Sequence, residues 1–359
     1  MPSLFEPISF TRGPAMKNRF MLAPLTNTQS LDDGCITEDD LHWIEMRANS
    51  GFGSIMTAAA HVQANGQGFP RQMGTFSDDH IEGLSRMAAL IKKHDCVSIL
   101  QLHHGGNRVS PEVIGGTPVC PSDDPETGAR ALTSEEVVEL IEAFILAAKR
   151  AEDAGFDGVE LHGAHGYMLS QFLSPEVNKR IDEYGGSLEN RSRIIFEIIE
   201  GIRARCRPDF NLSIRLSPER FGLRLAEIIE VAQRLMTENN IDFLDMSLWN
   251  CFKEPEEKEF KGRSLMSYFT ELERGNVKLG VAGKIKSSKA AAACLELGAD
   301  FILPGRAAIL HHDFPLQVQA DADFEIAGLP VSADYLRGQG LSDNFLTYMN
   351  SNWRGFVNL

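Results

Sequence analysis

The chain has 359 residues, 43% of them hydrophobic and 24% charged, with 35 basic against 50 acidic side chains and a formal net charge of −15. That composition supports a large buried core, and the length suits either two ordinary domains or one eight-stranded barrel of roughly 250 residues with insertions. The acidic balance excludes the basic face on which nucleic-acid binding rests, and solubility is enough to explain it.

Cys35, Cys96, Cys120, Cys206, Cys251 and Cys294 are dispersed, with no C-x-x-C pair to hold zinc or an iron–sulfur cluster. The opening MPSLFEPISFTRGP has neither the charged start nor the apolar run of a secretion signal, and no segment reaches the length of about 18 apolar residues that a membrane span needs. A reducing, cytoplasmic setting without membrane contact is the expectation.

In chain order, Arg19–Pro24 reads as a first buried strand ending in Leu25, Thr26 and Asn27. Thr37 followed by Glu38, Asp39 and Asp40 opens a helix that stops before Gly51. Residues 53–58 form a second strand, 77–94 a helix and 97–102 a third strand. The Pro- and Gly-rich stretch 103–132 is too long for a plain connection, so a short hairpin is expected within it. A helix starts at Thr133, and Gly158–Leu161 is the fourth strand. Helices follow at 187–205, 225–239, 264–274 and 287–297, and strands at 211–216, 242–246, 277–281 and 300–303.

Eight repeats of strand then helix, with strands apolar on both faces, predict an α/β fold: a (β/α)8 TIM barrel over about 19–312, with a long excursion after strand three and a C-terminal extension over about 313–359. An open doubly wound sheet would carry G-x-G-x-x-G after the first strand, and that fingerprint is missing.

In such a barrel the chemistry sits at the carboxyl ends of the strands. Those ends offer Thr26, Ala58, Gln101 with His103 and His104, His162 with His165 and Tyr167, Arg215, Ser247, Gly283 and Gly305-Arg306. The glycines after strands seven and eight suit a phosphate held by backbone N–H groups, with Arg306 as a cationic fork. Arg215, at the end of a buried strand, needs an anionic or electron-rich partner, either a ligand or a carboxylate such as Glu160.

These segments resemble the Old Yellow Enzyme family of flavin-dependent ene-reductases. The resemblance is carried by NRFMLAPLTN, LQLHHGG, IRLSP, GADFILPGR and, most specifically, the block HGAHGYMLSQFLSPEVNKRIDEYGGSLENRSR. It implies non-covalent FMN at the barrel mouth, with NADPH or NADH as reductant and a small electrophilic alkene as substrate. By that resemblance Thr26 lies near the reactive edge of the flavin, Ala58 gives a backbone contact, Gln101 reads the pyrimidine edge and Arg215 stands beside it. Gly283, Gly305 and Arg306 cradle the phosphate, with Lys284 nearby. His162 and His165 grip the carbonyl oxygen of the alkene and Tyr167 is the proton donor; the reduced flavin delivers hydride to the β-carbon.

The ending Trp353-Arg354-Gly355-Phe356 resembles the terminus by which some members reach a neighbouring subunit's site, which implies a homo-oligomer with Arg354 as a substrate-side residue. Three departures from the family pattern line the mouth and bear on substrate range. The strand-three arginine is displaced to Arg108, Asn27 stands where arginine is common, and residues 59–68 form a longer loop. Two other readings compete: a metal-dependent barrel hydrolase using His103, His104, His162 and His165, and a flavin-binding barrel without turnover. No metal is expected, because strand one lacks H-x-H and strand eight ends in Gly305-Arg306 rather than an aspartate.

Overall fold

The protein is described by a computed structural model covering residues 3–358. Its main sheet has eight strands, all paired in parallel. They are β1 (Met21–Leu22), β2 (Ser54–His61), β3 (Val97–His103), β4 (Gly158–Gly163), β5 (Asn211–Leu216), β6 (Phe243–Ser247), β7 (Lys278–Ala282) and β8 (Phe301–Ile302). Neighbours follow chain order, and a parallel bridge from Phe20 to Ile302 closes the ring. The expected (β/α)8 barrel is therefore the observed architecture.

The longer outer helices are α1 (Glu38–Ala48), α2 (Ile81–Lys93), α3 (Ser134–Asp153), α4 (Leu188–Arg205), α5 (Leu225–Glu238) and α6 (Ser288–Glu296). Local chemistry fixes several of their starts. Thr37 and Asp40 form a reciprocal capping box on α1, as Thr133 and Glu136 do on α3, while Ser187 caps α4 and Ser287 caps α6. Asn239 ends α5 in the left-handed conformation at φ +54°.

The barrel has a plugged floor. The lead-in folds back on itself through an antiparallel bridge between Ile8 and Met16, and Phe10 packs against Phe243 and Phe301 at ring separations of 5.4 and 6.1 Å. Met21, Met56, Val97 and Ile99 complete this interior cluster, so the lower barrel is filled and only the carboxyl-terminal mouth is open to a ligand. The larger apolar cluster lies between strands and helices.

Three local expectations are corrected. The hairpin expected in the 103–132 excursion is reduced to one antiparallel bridge between Asp124 and Ala129, inside a parallel pairing of Val119–Cys120 with Arg130–Ala131; the turn is gathered by Asp124, which accepts from Asn107, Glu126 and Thr127. The helix expected over 264–274 shrinks to Ser267–Thr270, because the Gln233 amide on α5 bonds both the N–H and the carbonyl of Glu273. A buried helix, Met168–Leu173, stands inside the stretch read from sequence as a loop. Beyond the barrel, helix Asp343–Asn352 lays Tyr348, Asn352 and Trp353 over the mouth.

Candidate active site

The site begins with a buried polar layer inside the upper barrel. Parallel register sets Gln101 beside Glu160, and sets Arg215 between His162 and Asp245. The Gln101 amide donates to Glu160 Oε1 at 2.8 Å, which leaves its own carbonyl oxygen free to accept from a ligand. Arg215 finds its carboxylate in Asp245, with Nε 3.0 Å from Oδ2, rather than in Glu160. That contact is out of line for a hydrogen bond, so Arg215 Nε and both Asp245 oxygens lack hydrogen-bond partners. Burial pushes the Asp245 carboxyl up to about 6 against the pull of Arg215, and burial with the charge of Asp245 pushes Glu160 well above the usual range. One buried cation, one carboxylate and one neutral carboxyl make this layer close to electroneutral at neutral pH.

Above it stand the imidazoles of His162 and His165. The Ala164 N–H donates to His162 Nδ1 at 3.2 Å, so the proton of a neutral His162 sits on Nε2, towards the cavity. His165 Nε2 lies 2.7 Å from Ser247 Oγ, and Arg215 donates to the same oxygen at 3.5 Å. With Ser247 donating to His165 Nε2, the neutral ring keeps an N–H at Nδ1 that is free for a ligand. His165 itself adopts φ +61°, and its backbone N–H donates to Ser217 Oγ at 3.0 Å. Burial, reinforced by Arg215, holds both imidazoles well below their ordinary pKa, so both are neutral donors.

Tyr167 precedes helix Met168–Leu173, its ring 5.1 Å from that of His162 and 6.5 Å from that of His165. Burial raises its pKa above 10.0, which keeps its proton in place at neutral pH. The Arg108 guanidinium lies 5.2 Å from the Tyr167 ring and donates to His165 O at 3.0 Å.

These groups face two chambers with shared walls, of about 750 and 150 Å³. The larger is in the usual size range for a cofactor site. Its walls carry Arg108, Arg215, Arg220, Lys284, Lys286 and Arg306 and no carboxylate, although the chain is strongly acidic. Gly283, at φ +151°, could not carry a side chain, since a Cβ would stand 2.8 Å from Asn250 N. A Cβ on Gly305 would meet only ordinary contacts, the nearest being Leu25 at 3.5 Å. Both glycines line the larger chamber together with Arg306.

The sequence-derived residues converge here with two exceptions. Thr26, Gln101, His162, His165, Tyr167 and Arg215 line the smaller chamber, and Gly283, Gly305 and Arg306 line the larger. Ala58 is buried but lines neither; a β-bulge between Met56 and Ala59 shifts the pairing so that Ala59, opposite Gln101, forms the wall. Arg354 is exposed and lines neither chamber, whereas Trp353 lies within the mouth, 5.0 Å from the Arg306 guanidinium.

Sequence reasoning missed Gln171, which bonds Gly105, Asn107 and Gly166 and so ties the β3 and β4 loops together. It also missed Ser217, Tyr348 and Gln72, for which no local pattern gave a signal. The hydrolase reading finds no support: among the described residues no group of three or more His, Cys, Asp or Glu has metal-holding geometry.

The sequence model of the NADH:flavin oxidoreductase / NADH oxidase family matches residues 3–324. The chain is 34% identical over 334 residues to the probable NADH-dependent flavin oxidoreductase YqiG of Bacillus subtilis, covering 90% of this chain and 89% of that one. It is 33% identical over 347 residues to an NADPH dehydrogenase of Geobacillus, covering 93% and 98%. Among solved structures, the old yellow enzyme homologue from Zymomonas mobilis superposes with a TM-score of 0.81 at 29% identity, over 96% of this chain and 99% of that one. Morphinone reductase superposes at 0.76 and 26%, over 91% and 93%. A barrel with this polar layer, a cation-lined mouth and a match along nearly its whole length belongs to the NADH:flavin oxidoreductase / NADH oxidase family, the Old Yellow Enzyme family, as an NAD(P)H-dependent flavin oxidoreductase.

Proposed function

We propose that this enzyme reduces the activated C=C bond of α,β-unsaturated carbonyl and related electron-poor compounds. The observation that carries the reading is the convergence of two neutral histidine N–H groups and a protonated tyrosine on one chamber beside Arg215. The residues present fit a non-covalent FMN: the free carbonyl of Gln101 and the cavity-facing guanidinium of Arg215 suit a planar polar head. Gly283 and Gly305, with Arg306 and Lys284 beside them, suit a phosphate. Thr26 and Ala59 line the smaller chamber beside that head. When bound, FMN would supply the hydride-carrying centre that takes electrons from NAD(P)H.

The protein's own part is polarisation and proton supply. Hydride addition at the β-carbon builds negative charge on the carbonyl oxygen, and His162 Nε2–H and His165 Nδ1–H donate to that oxygen from fixed positions. Each donor of this kind is worth about 10²–10³ in rate. Tyr167 passes its hydroxyl proton to the α-carbon, completing addition of H–H across the bond. The cationic walls draw in the anionic dinucleotide and then suit its phosphates.

Arg354 of a second copy would complete a neighbouring site in a homo-oligomer, a role its exposure leaves open to it; a monomer in solution scattering would overturn that part alone. The unpaired cysteines suit a reducing, cytoplasmic setting, and among the described residues no helix is long and apolar enough to cross a membrane.

The test is NAD(P)H consumption under anaerobic conditions with and without cyclohexenone. Consumption that depends on the enone and yields cyclohexanone supports the proposal. A protein that holds flavin without enone turnover would be the non-catalytic barrel instead.

A further inference from the structure

One buried donor in the chamber has no role in the account so far. His103 follows Gln101 by two positions on β3, so it points to the same inner face one level higher. It is 0% exposed and lines the smaller chamber, with its ring 4.4 Å from Tyr167 and 5.5 Å from His162. Its tautomer is fixed by Gln72. The Gln72 carbonyl accepts from the Gly68 N–H at 2.7 Å, and its amide nitrogen donates to Ala59 O at 2.9 Å, so the amide has one orientation. The same nitrogen lies 3.0 Å from His103 Nδ1, which must accept. The His103 proton therefore resides on Nε2, and that buried N–H has no partner in the protein.

Burying a donor without a partner is costly, so its retention calls for a ligand group to meet it. The site is built around the ring. A Cβ on Gly68 would stand 2.9 Å from His103, and one on Gly66 2.5 Å from His104, so the glycines of the long 59–68 loop make room for the paired imidazoles. The long loop and His103 are one packed unit, oriented by Gln72.

We propose that His103 is a third hydrogen-bond donor to the substrate, alongside His162 and His165, and that it directs the enzyme towards alkenes carrying two acceptor groups, such as maleimides and enediones. One acceptor engages His162 and His165; the other accepts from His103 Nε2–H. The bond-making steps are those proposed above, on which this inference rests. The buried polar contact supplies selectivity because a singly activated alkene leaves the donor unmet, and discrimination of that kind is stronger than hydrophobic fit provides.

The experiment compares kcat/KM for N-methylmaleimide and for cyclohexenone in the native enzyme and in His103→Leu and His103→Gln, each loaded with FMN. Native turnover of either substrate establishes the underlying activity; turnover of neither would sink the ene-reductase reading itself rather than the role of His103. For His103→Leu the maleimide-to-enone ratio of kcat/KM is expected to fall about tenfold to a hundredfold. His103→Gln keeps an acceptor for Gln72 and a donor for the ligand, and is expected to recover most of the ratio. Equal losses on both substrates, or a ratio unaltered in His103→Leu, would overturn the proposal. Nitrogen-15 NMR of the native protein reads the tautomer directly and does not depend on the variants folding: the Nε2–H form is expected, and an Nδ1–H form would overturn it.

Discussion

Replacing Arg215 by methionine probes the polar layer on which the site rests. In the native protein its Nε stands 3.0 Å from Asp245, with side-chain exposures of 6% and 0%. The second carboxyl, Glu160, is served separately by Gln101. Removing the guanidinium leaves Asp245 buried without a cation, and breaking such a pair costs about 3–5 kcal/mol. The loss is pH-dependent with a definite sign. The Asp245 carboxyl is already raised from 3.8 to about 6, and without Arg215 it rises further. A group whose folded pKa lies above its unfolded value binds its proton more tightly in the folded state, so stability is lost as pH climbs through that pKa.

The expected outcome for flavin-free protein in urea is a large destabilisation of Arg215→Met at pH 8 that shrinks towards pH 5.5. Arg215→Met/Asp245→Leu, which removes both charges, is expected within about 1–2 kcal/mol of the native protein at either pH. Flavin titration of the double variant is expected to show weakened binding, because the cation facing the cavity is gone. If the single variant is as stable as the native protein at pH 8, or the double variant is no better than the single, the pairing argument is wrong.

Tyr167→Phe is expected to lower alkene-dependent turnover by about 10²–10⁴, the worth of a placed general acid, with the loss in the alkene half-reaction of a stopped-flow experiment; a normal rate would assign the proton to another source. Gly283→Ala forces a Cβ to within 2.8 Å of Asn250 N at φ +151°, so the purified variant is expected to keep its far-ultraviolet circular dichroism and lose bound flavin; full flavin content would remove Gly283 from the cradle. Acid should destabilise the flavin-free protein. Burial lowers His61 from 6.5 to about 4 and His104 from 6.5 to about 3, so each contributes stability above 6.5 that is lost as pH falls, at about 1.4 kcal/mol per unit within the window between the two pKa values. Asp245 and Glu160 offset part of this, and a melting temperature constant from pH 7 to 4.5 would show that these imidazoles are not buried neutral.

The strands were legible because they are buried on both faces, and a run such as Asn211–Leu216 cannot be read otherwise; its bounds agree with the sequence expectation residue for residue. Helix starts were legible because Thr37, Thr133, Ser187 and Ser287 cap through local hydrogen bonds that a few residues determine. What failed was decided at a distance. The helix expected to Arg274 ends early because Gln233, 40 residues away in the chain, bonds Glu273. The bulge that moves the wall from Ala58 to Ala59 depends on how β2 meets β3, and no pattern within β2 announces it.

The site shows the same division. The spacing of His162, His165 and Tyr167 is visible in the chain, and strand ends in a barrel share one mouth whatever their sequence separation. The contacts that orient those imidazoles are not visible, since they come from the Ala164 N–H and from Ser247. The partner of Arg215 was anticipated as a ligand or a carboxylate such as Glu160, and the carboxylate beside it is Asp245 on β6 rather than Glu160 on β4.

The most direct test of the central claim is the visible absorption spectrum of the purified enzyme during titration with a simple phenol. A flavin spectrum that gains a long-wavelength charge-transfer band in the native protein, and gains none in His162→Ala or His165→Ala, is the predicted result: a phenolate held over the flavin by the two histidine N–H groups. A flavin spectrum whose band is as strong in both variants as in the native protein, or a protein that cannot be loaded with FMN at all, would contradict the account.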